Sequence, residues 1–394
     1  MSPPRHAHDS GVRVASASVR VAFAMGIVVG FAGRRALADP PPAVACVANG
    51  EPRATQWTIA GAAREWLVAN DVGGDGAWIA IRASTTGRRG TTSMIVGRVG
   101  RIDAASTASP TNESPVTTPL QRGRSWRVAA LRADGGVASV IIARGRNQSL
   151  VRVRLADGSA QTSVIASPRG RWRGSVPTTT QGDAFVRIWN GVDHALVQRI
   201  AAVDGSVVDS HDVRLPHGDV VTYARAIDDS NLALVVRTPG GRYVIARFGQ
   251  DSRLHWTGNG PGGCVDNRCP EVRLRGSGSA IVATWEGPRT DDGLRTYGGR
   301  ALDALGHSRG PAVNFVPMVH GVVVNGPQGQ PLALQLGVPI VIRGTERPIA
   351  VSHAPHVPMP VLADALADAT GLDVVALASD GSIALSRMRC TRHP

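Results

Sequence analysis

The residues GHSRG at 306–310 match the G-x-S-x-G spacing of a serine-hydrolase nucleophile elbow. That chemistry needs a serine on a strained turn, entered from a buried strand and left by a helix. Ser308 would be the nucleophile, and Asp364, Asp373, His353 and His356 lie downstream of it as candidate partners. The flanks do not supply the turn's context. GGRALDAL carries Arg300 and Asp303 where a buried strand is required. Pro311 and Pro317 follow, inside a strand-like run with no helical period. The five residues therefore read as a turn between strands, and no catalytic residue is assigned.

Imidazoles are the next candidates, since histidines gathered on one face could hold zinc or copper. His217 (LPHGD), His320 (PMVHG), His353 and His356 (SHAPHVPMP) all fall in segments that read as loops. They form a candidate binding rim. They offer no third ligand at a fixed spacing, so neither a metal nor a cofactor is expected. NDVGGDG (70–76) and RTDDG (289–293) lack the D-x-D-x-D-G order of a calcium loop and read as turns.

The cysteines speak to compartment. Arg5, Arg13 and Arg20 precede the apolar run VAFAMGIVVGFAG (21–33), and Ala36-Leu37-Ala38 has the small residues of a cleavage site. Residues 1–38 are expected to be a secretory signal and 39–394 the mature domain, secreted or held in the periplasm or cell envelope. An uncleaved membrane anchor is the alternative. No later run is long and apolar enough for a membrane helix. Four cysteines in an exported chain suggest two disulfides. Cys264 and Cys269 are expected to clip one loop, and Cys46 to join Cys390. Acylation of Cys46 would leave an odd cysteine. The net charge is +13, carried by arginine alone, since the chain has no lysine. The arginines are scattered along strand-like segments rather than clustered with aromatics, which argues against nucleic acid.

These residues must be positioned by strands. Runs such as AFVRIWN (184–190), NLALVVRT (231–238) and AIVATWE (280–286) alternate with Gly, Asp, Asn and Pro turns. Asp157, Asp204, Asp251 and Asp303 recur about 50 residues apart, the length of a four-stranded propeller blade. One unit is written out as VVTYARA, NLALVVR, RYVIARF and SRLHWT (220–257). The chain's end supplies three such strands, with VLADALADAT also readable as a surface helix, and ATQWTIAG (54–61) supplies the missing fourth. The expected fold is all-β: a β-propeller, with seven four-stranded blades closed by strands from both termini in one blade, six or eight blades being the alternatives. Residues 102–125 read as a long exposed loop. Trp78, Trp189, Trp285, Trp57 and Trp256 are expected to pack between blades, and Trp126 and Trp172 to be partly exposed.

The stretches FGQDSRLHW and ALDALGHSRG resemble the L-D-x-x-x-G-x-x-x-W turn of bacterial quinoprotein-like propellers. The resemblance implies the architecture and no cofactor site. The expected function is that of a monomeric binding or scaffolding module for an unknown protein or envelope ligand. An exported propeller-scaffold enzyme is the alternative.

Overall fold

The computed structural model describes residues 44–48, 53–59, 62–72, 76–84, 92–100, 114–120, 126–174, 176–249, 251–259, 268–277, 280–289, 295–303, 305–315, 321–325, 331–336, 351–354, 360–367, 371–378 and 380–392. Every regular element among them is a strand. The proposed signal segment lies outside the described residues, as do 102–113 and 121–125 of the long loop.

The strands follow one another as antiparallel meanders. At the N-terminus lie β1 (Val44–Ala48) and β2 (Arg53–Thr58). Next come β3 (Ala62–Val72), β4 (Gly76–Ser84), β5 (Thr92–Gly100) and β6 (Val116–Pro119), the last within the stretch expected to be all loop. Then β7 (Arg127–Asp134), β8 (Val137–Arg144), β9 (Asn147–Arg154) and β10 (Ser159–Ile165) form a second meander. The third is β11 (Thr178–Gln181), β12 (Ala184–Asn190), β13 (His194–Ala201) and β14 (Val207–Arg214). The fourth is β15 (Val220–Ala226), β16 (Leu232–Arg237), β17 (Tyr243–Phe248) and β18 (Leu254–Asn259), the unit read strand by strand from the sequence. The fifth is β19 (Val272–Ser277), β20 (Ala280–Arg289), β21 (Arg295–Leu302) and β22 (Ser308–Phe315). A short sheet of β23 (Gly321–Asn325), β24 (Pro331–Leu336) and β25 (Val351–Ala354) follows, its last pair parallel. The chain ends in β26 (Pro360–Ala367), β27 (Gly371–Ala378) and β28 (Ser382–Arg392). The possible helix at VLADALADAT is therefore the strand β26.

The first strands of successive meanders touch in order. β3 meets β7, β7 meets β11, and the chain of contacts runs through β15, β19, β23 and β26 back to β3. The last sheet is completed from the other end of the chain. β1 pairs with β28 so that Cys46 stands opposite Cys390, and β2 pairs with the same strand at Ala54–Ala384 and Thr58–Ser382. Beside this seam the Ile59 N–H donates to the Gly381 carbonyl at 2.9 Å. A ring of antiparallel sheets closed in this way is a β-propeller.

The sheets number six among the described residues, where seven blades were expected. The reason is a short parallel ladder, Asp71 with Ala133 and Val72 with Asp134. It fuses the meanders that begin at β3 and β7 into one eight-stranded sheet.

Turn chemistry explains the repeat. In Asp157-Gly158-Ser159, Asp204-Gly205-Ser206 and Asp380-Gly381-Ser382, the aspartate Oδ1 accepts from the serine N–H at 2.8–2.9 Å. The middle residue is left-handed, with φ of +65°, +80° and +86°, where glycine carries no Cβ penalty. Second strands carry the core: β12 and β27 are buried throughout. Trp78, Trp189 and Trp285 are buried between sheets as expected. Trp126 and Trp172 are buried too, against expectation, because each begins the packing of a loop onto a neighbouring sheet. Trp256 departs in the other direction and is 47% exposed, since its outer strand has no sheet beyond it.

Candidate functional site

Propeller first strands line a central channel. Here β3, β7, β11 and β15 enclose a cavity of about 360 Å³. Its wall is mostly small or apolar, from Leu67, Val68 and Ala69 on β3 to Ala129 and Ala133 on β7 and Ala224 and Ala226 on β15. Thr178 and Thr180 line it from β11, half-buried, and alternate with Thr179 and Gln181, which are buried. This is the period of a strand with one face on a channel and one in a core.

Charge collects at one end of the cavity. Arg132 on β7, Arg225 on β15 and Asp228 and Asp229 just after β15 line it there. Arg132 is held by the Gly182 carbonyl at 3.1 Å and the Asp134 carboxylate at 2.9 Å. Asp228 is committed to its own turn, accepting from the N–H groups of Ser230 and Asn231, each at 2.7 Å. Burial pushes its carboxyl up, but the bonds from Asn231 and Ser230 outweigh this and hold it below the usual range.

Just above the cavity, Glu65 spans from β3 to β7. Its carboxylate accepts from the Val128 N–H at 3.0 Å and lies 3.6 Å from Arg82. Burial raises its pKa, against the pull of Val128, Arg82, Arg127 and, from β19, Arg273. The side chains lining the cavity include no histidine or cysteine among the described residues. The arrangement can hold a polar group of mixed charge.

The residues singled out by sequence are dispersed. Ser308 is exposed at the start of β22, opposite Leu302, and a strand follows it where an elbow needs a helix. Its turn is closed by Asp303, which accepts from the N–H groups of Leu305 and His307, both at 2.8 Å. Asp373, a candidate partner, is instead paired with Arg387 at 3.1 Å in the closing sheet. His217 is exposed in the turn from β14 to β15. His353 lies on strand β25 opposite Gln335. His320, His356 and Cys264 lie outside the described residues. Among the described residues no group of three or more His, Cys, Asp or Glu could hold a metal. Cys269 is disulfide-bonded. Its backbone N–H donates to Gly241 in the turn from β16 to β17.

The channel was missed because its residues look ordinary in sequence. A signal existed: both VAALRAD (128–134) and VTYARAIDD (221–229) place Arg-Ala and then Asp at the same end of a first strand.

The strand order and the closed ring define the class, a β-propeller with a central channel. No protein-family model and no curated protein matches the chain. Solved propellers match it weakly. Acylaminoacyl peptidase from Pyrococcus horikoshii is 8% identical, with 86% of this chain and 53% of that one covered at a TM-score of 0.41. The β-propeller domain of the Trilobed protease from Pyrococcus furiosus is 9% identical, with 83% and 94% covered at 0.40. TolB from Acinetobacter baumannii is 13% identical, with 62% and 53% covered at 0.35. This chain thus spans about half the length of the peptidase and of TolB. The fold assignment rests on the strand pairing described above. No helix among the described residues is long and apolar enough to cross a membrane.

Proposed function

We propose that this chain is an exported β-propeller acting as a binding or scaffolding module, which takes a polar segment of its partner at the charged end of the central channel. The observation that carries the reading is the cavity of about 360 Å³ walled by β3, β7, β11 and β15, with both charge signs at one end. Binding sites sit where a rigid frame holds a few polar groups around a concave surface.

The finer features follow from the same reading. Residues 1–38 are the export signal, and the working form is a monomer of residues 39–394 in the envelope or outside the cell. Cys46 and Cys390 form a disulfide across the seam. Their direct antiparallel pairing supports this, because such pairs hold Cα atoms about 4.5–5.5 Å apart, within disulfide range. Cys264 and Cys269 clip the loop after β18.

The test is capture from envelope extract by the immobilised mature chain, beside a Thr180→Trp variant that fills the channel. The expected result is a specific partner retained by the parent chain and lost by the variant, with an unchanged circular dichroism spectrum. Equal capture by both would refute the channel as the site.

A further inference from the structure

A second constellation lies away from the channel, where the outer strand of one sheet meets a turn of the next. Asp209 and His211 sit two apart on β14, hence on one face of the strand. Asp209 Oδ2 is 2.6 Å from His211 Nε2, and His211 Nδ1 is 3.0 Å from Ser252 Oγ. Ser252 belongs to the turn between β17 and β18, 41 residues on. A carboxylate fixing one imidazole nitrogen while the other faces a serine hydroxyl is the relay of a nucleophilic serine.

Ser252 has a second distinction. Asp251-Ser252-Arg253 is the same turn as the three Asp-Gly-Ser turns, with Asp251 Oδ1 accepting from the Arg253 N–H at 3.2 Å. Serine stands where Gly158, Gly205 and Gly381 stand in the others. Its φ is +55°, and among the described residues no other non-glycine residue has a positive φ. A side chain in this region carries a strain that glycine avoids, and such outliers gather at working sites. The equivalent contact one sheet earlier, Ser163 Oγ on the Asp204 carbonyl at 3.2 Å, needs no imidazole. Joining two sheets therefore does not require the Asp–His–Ser arrangement.

We propose that Ser252 is a nucleophile toward short-chain carboxylic esters, with His211 as its base and Asp209 as the residue that positions His211. As Oγ attacks the ester carbonyl carbon, its proton passes to Nδ1. The carbon–oxygen bond to the leaving group breaks, and that oxygen takes the proton from Nδ1 and departs as an alcohol. Water then attacks the acyl-serine, giving a proton to Nδ1, which returns it to Oγ as the carboxylic acid leaves. The N–H groups of Ser252 and Arg253 are already bonded, to Gly249 O at 3.0 Å and to Asp251, so neither is free to receive the oxyanion. Turnover is accordingly slow, and covalent capture is the better readout. The site is open and only half-buried, which suits a small acyl group. This inference is independent of the channel reading.

The experiment treats the folded mature chain with a fluorophosphonate, from which Ser252 displaces fluoride, and maps the modified peptide by mass spectrometry. Label is expected on Ser252. Ser252→Gly, which relieves the strained φ, keeps the fold at unchanged or higher Tm and abolishes the label and any hydrolysis of p-nitrophenyl acetate. His211→Gln, which can still bond Ser252 but cannot take its proton, is expected to slow labelling roughly 100-fold. Asp209→Asn, which can still touch the ring but carries no charge, is expected to slow labelling with the fold unchanged, and Asp209→Glu, which restores the carboxylate, to recover part of the rate. Absence of label on Ser252 in the folded chain, label on Ser308 instead, or a labelling rate unchanged in His211→Gln would overturn the proposal.

Discussion

Asn190 shows how much one residue carries. It is fully buried at the end of β12, and its amide bonds both backbone groups of Val221 on β15, accepting from the N–H at 2.8 Å and donating to the carbonyl at 2.9 Å. β15 is irregular there, with a register shift between Val221 and Tyr223. Glu65 accepts from the Val128 N–H in the same way, next to the shift in β7. Asn190→Ala would remove the side-chain partner of both backbone groups, at a cost of about 2–3 kcal/mol. Denaturant unfolding should report that loss. A change below about 0.5 kcal/mol, typical of a surface site, would contradict it. Residues of this kind were hard to see in the sequence, since Asn190 reads there as the polar end of a strand. Trp256 failed for a related reason. Its type predicts packing, but its place on an outer strand leaves it exposed.

At the scale of the element, the turns carry carboxyls that contribute to the response to acid. Asp157, Asp204, Asp251 and Asp380 are all held below the ordinary carboxylate range. The chief causes are the Ser159 side chain for Asp157, the Ser206 N–H for Asp204, the His255 ring for Asp251 and the Ser382 side chain for Asp380. A carboxyl lowered by folding contributes stability that is complete above its unfolded pKa, about 3.9 for Asp, and is lost as pH falls through the folded value. Glu65 has the opposite sign. Burial raises its pKa, so its contribution is present below the ordinary Glu value and fades as pH rises through the folded one. The fourfold Asp→Asn variant keeps an oxygen in each turn but cannot titrate. Its unfolding free energy should be flatter than the parent's between about pH 4 and pH 2. Parallel curves for the two proteins would show that the turns are not the acid-sensitive elements. These turns were the most legible part of the sequence. Asp-Gly-Ser names its own geometry, and its recurrence fixed the repeat. The channel was not legible, because Ala, Thr and Arg on first strands carry no turn signal and differ little from the same residues elsewhere.

The whole molecule depends on how its ring is closed. Each sheet buries its faces against its neighbours, and the last can do so only when β1 and β2 complete it along β28. Gly381 marks how close the seam is, since a Cβ there would stand 2.6 Å from the Ile59 carbonyl oxygen. The sequence suggested this closure because the C-terminal unit lacked a strand that the N-terminus could supply. It did not suggest the fusion of two meanders by the parallel ladder at Asp71–Val72, because two residues of pairing leave no trace in composition. Closure also gives the cysteines their meaning. A cross-link between the two ends encloses nearly the entire domain, so in the loop-entropy account it stabilises by on the order of 5 kcal/mol. The most direct test is peptide mapping of the folded chain without reduction, after expression in an oxidising compartment. The account predicts one cross-linked peptide that joins Cys46 to Cys390. A link from Cys46 to Cys264 or Cys269 would show that the two termini do not share a sheet, and would contradict the closed ring.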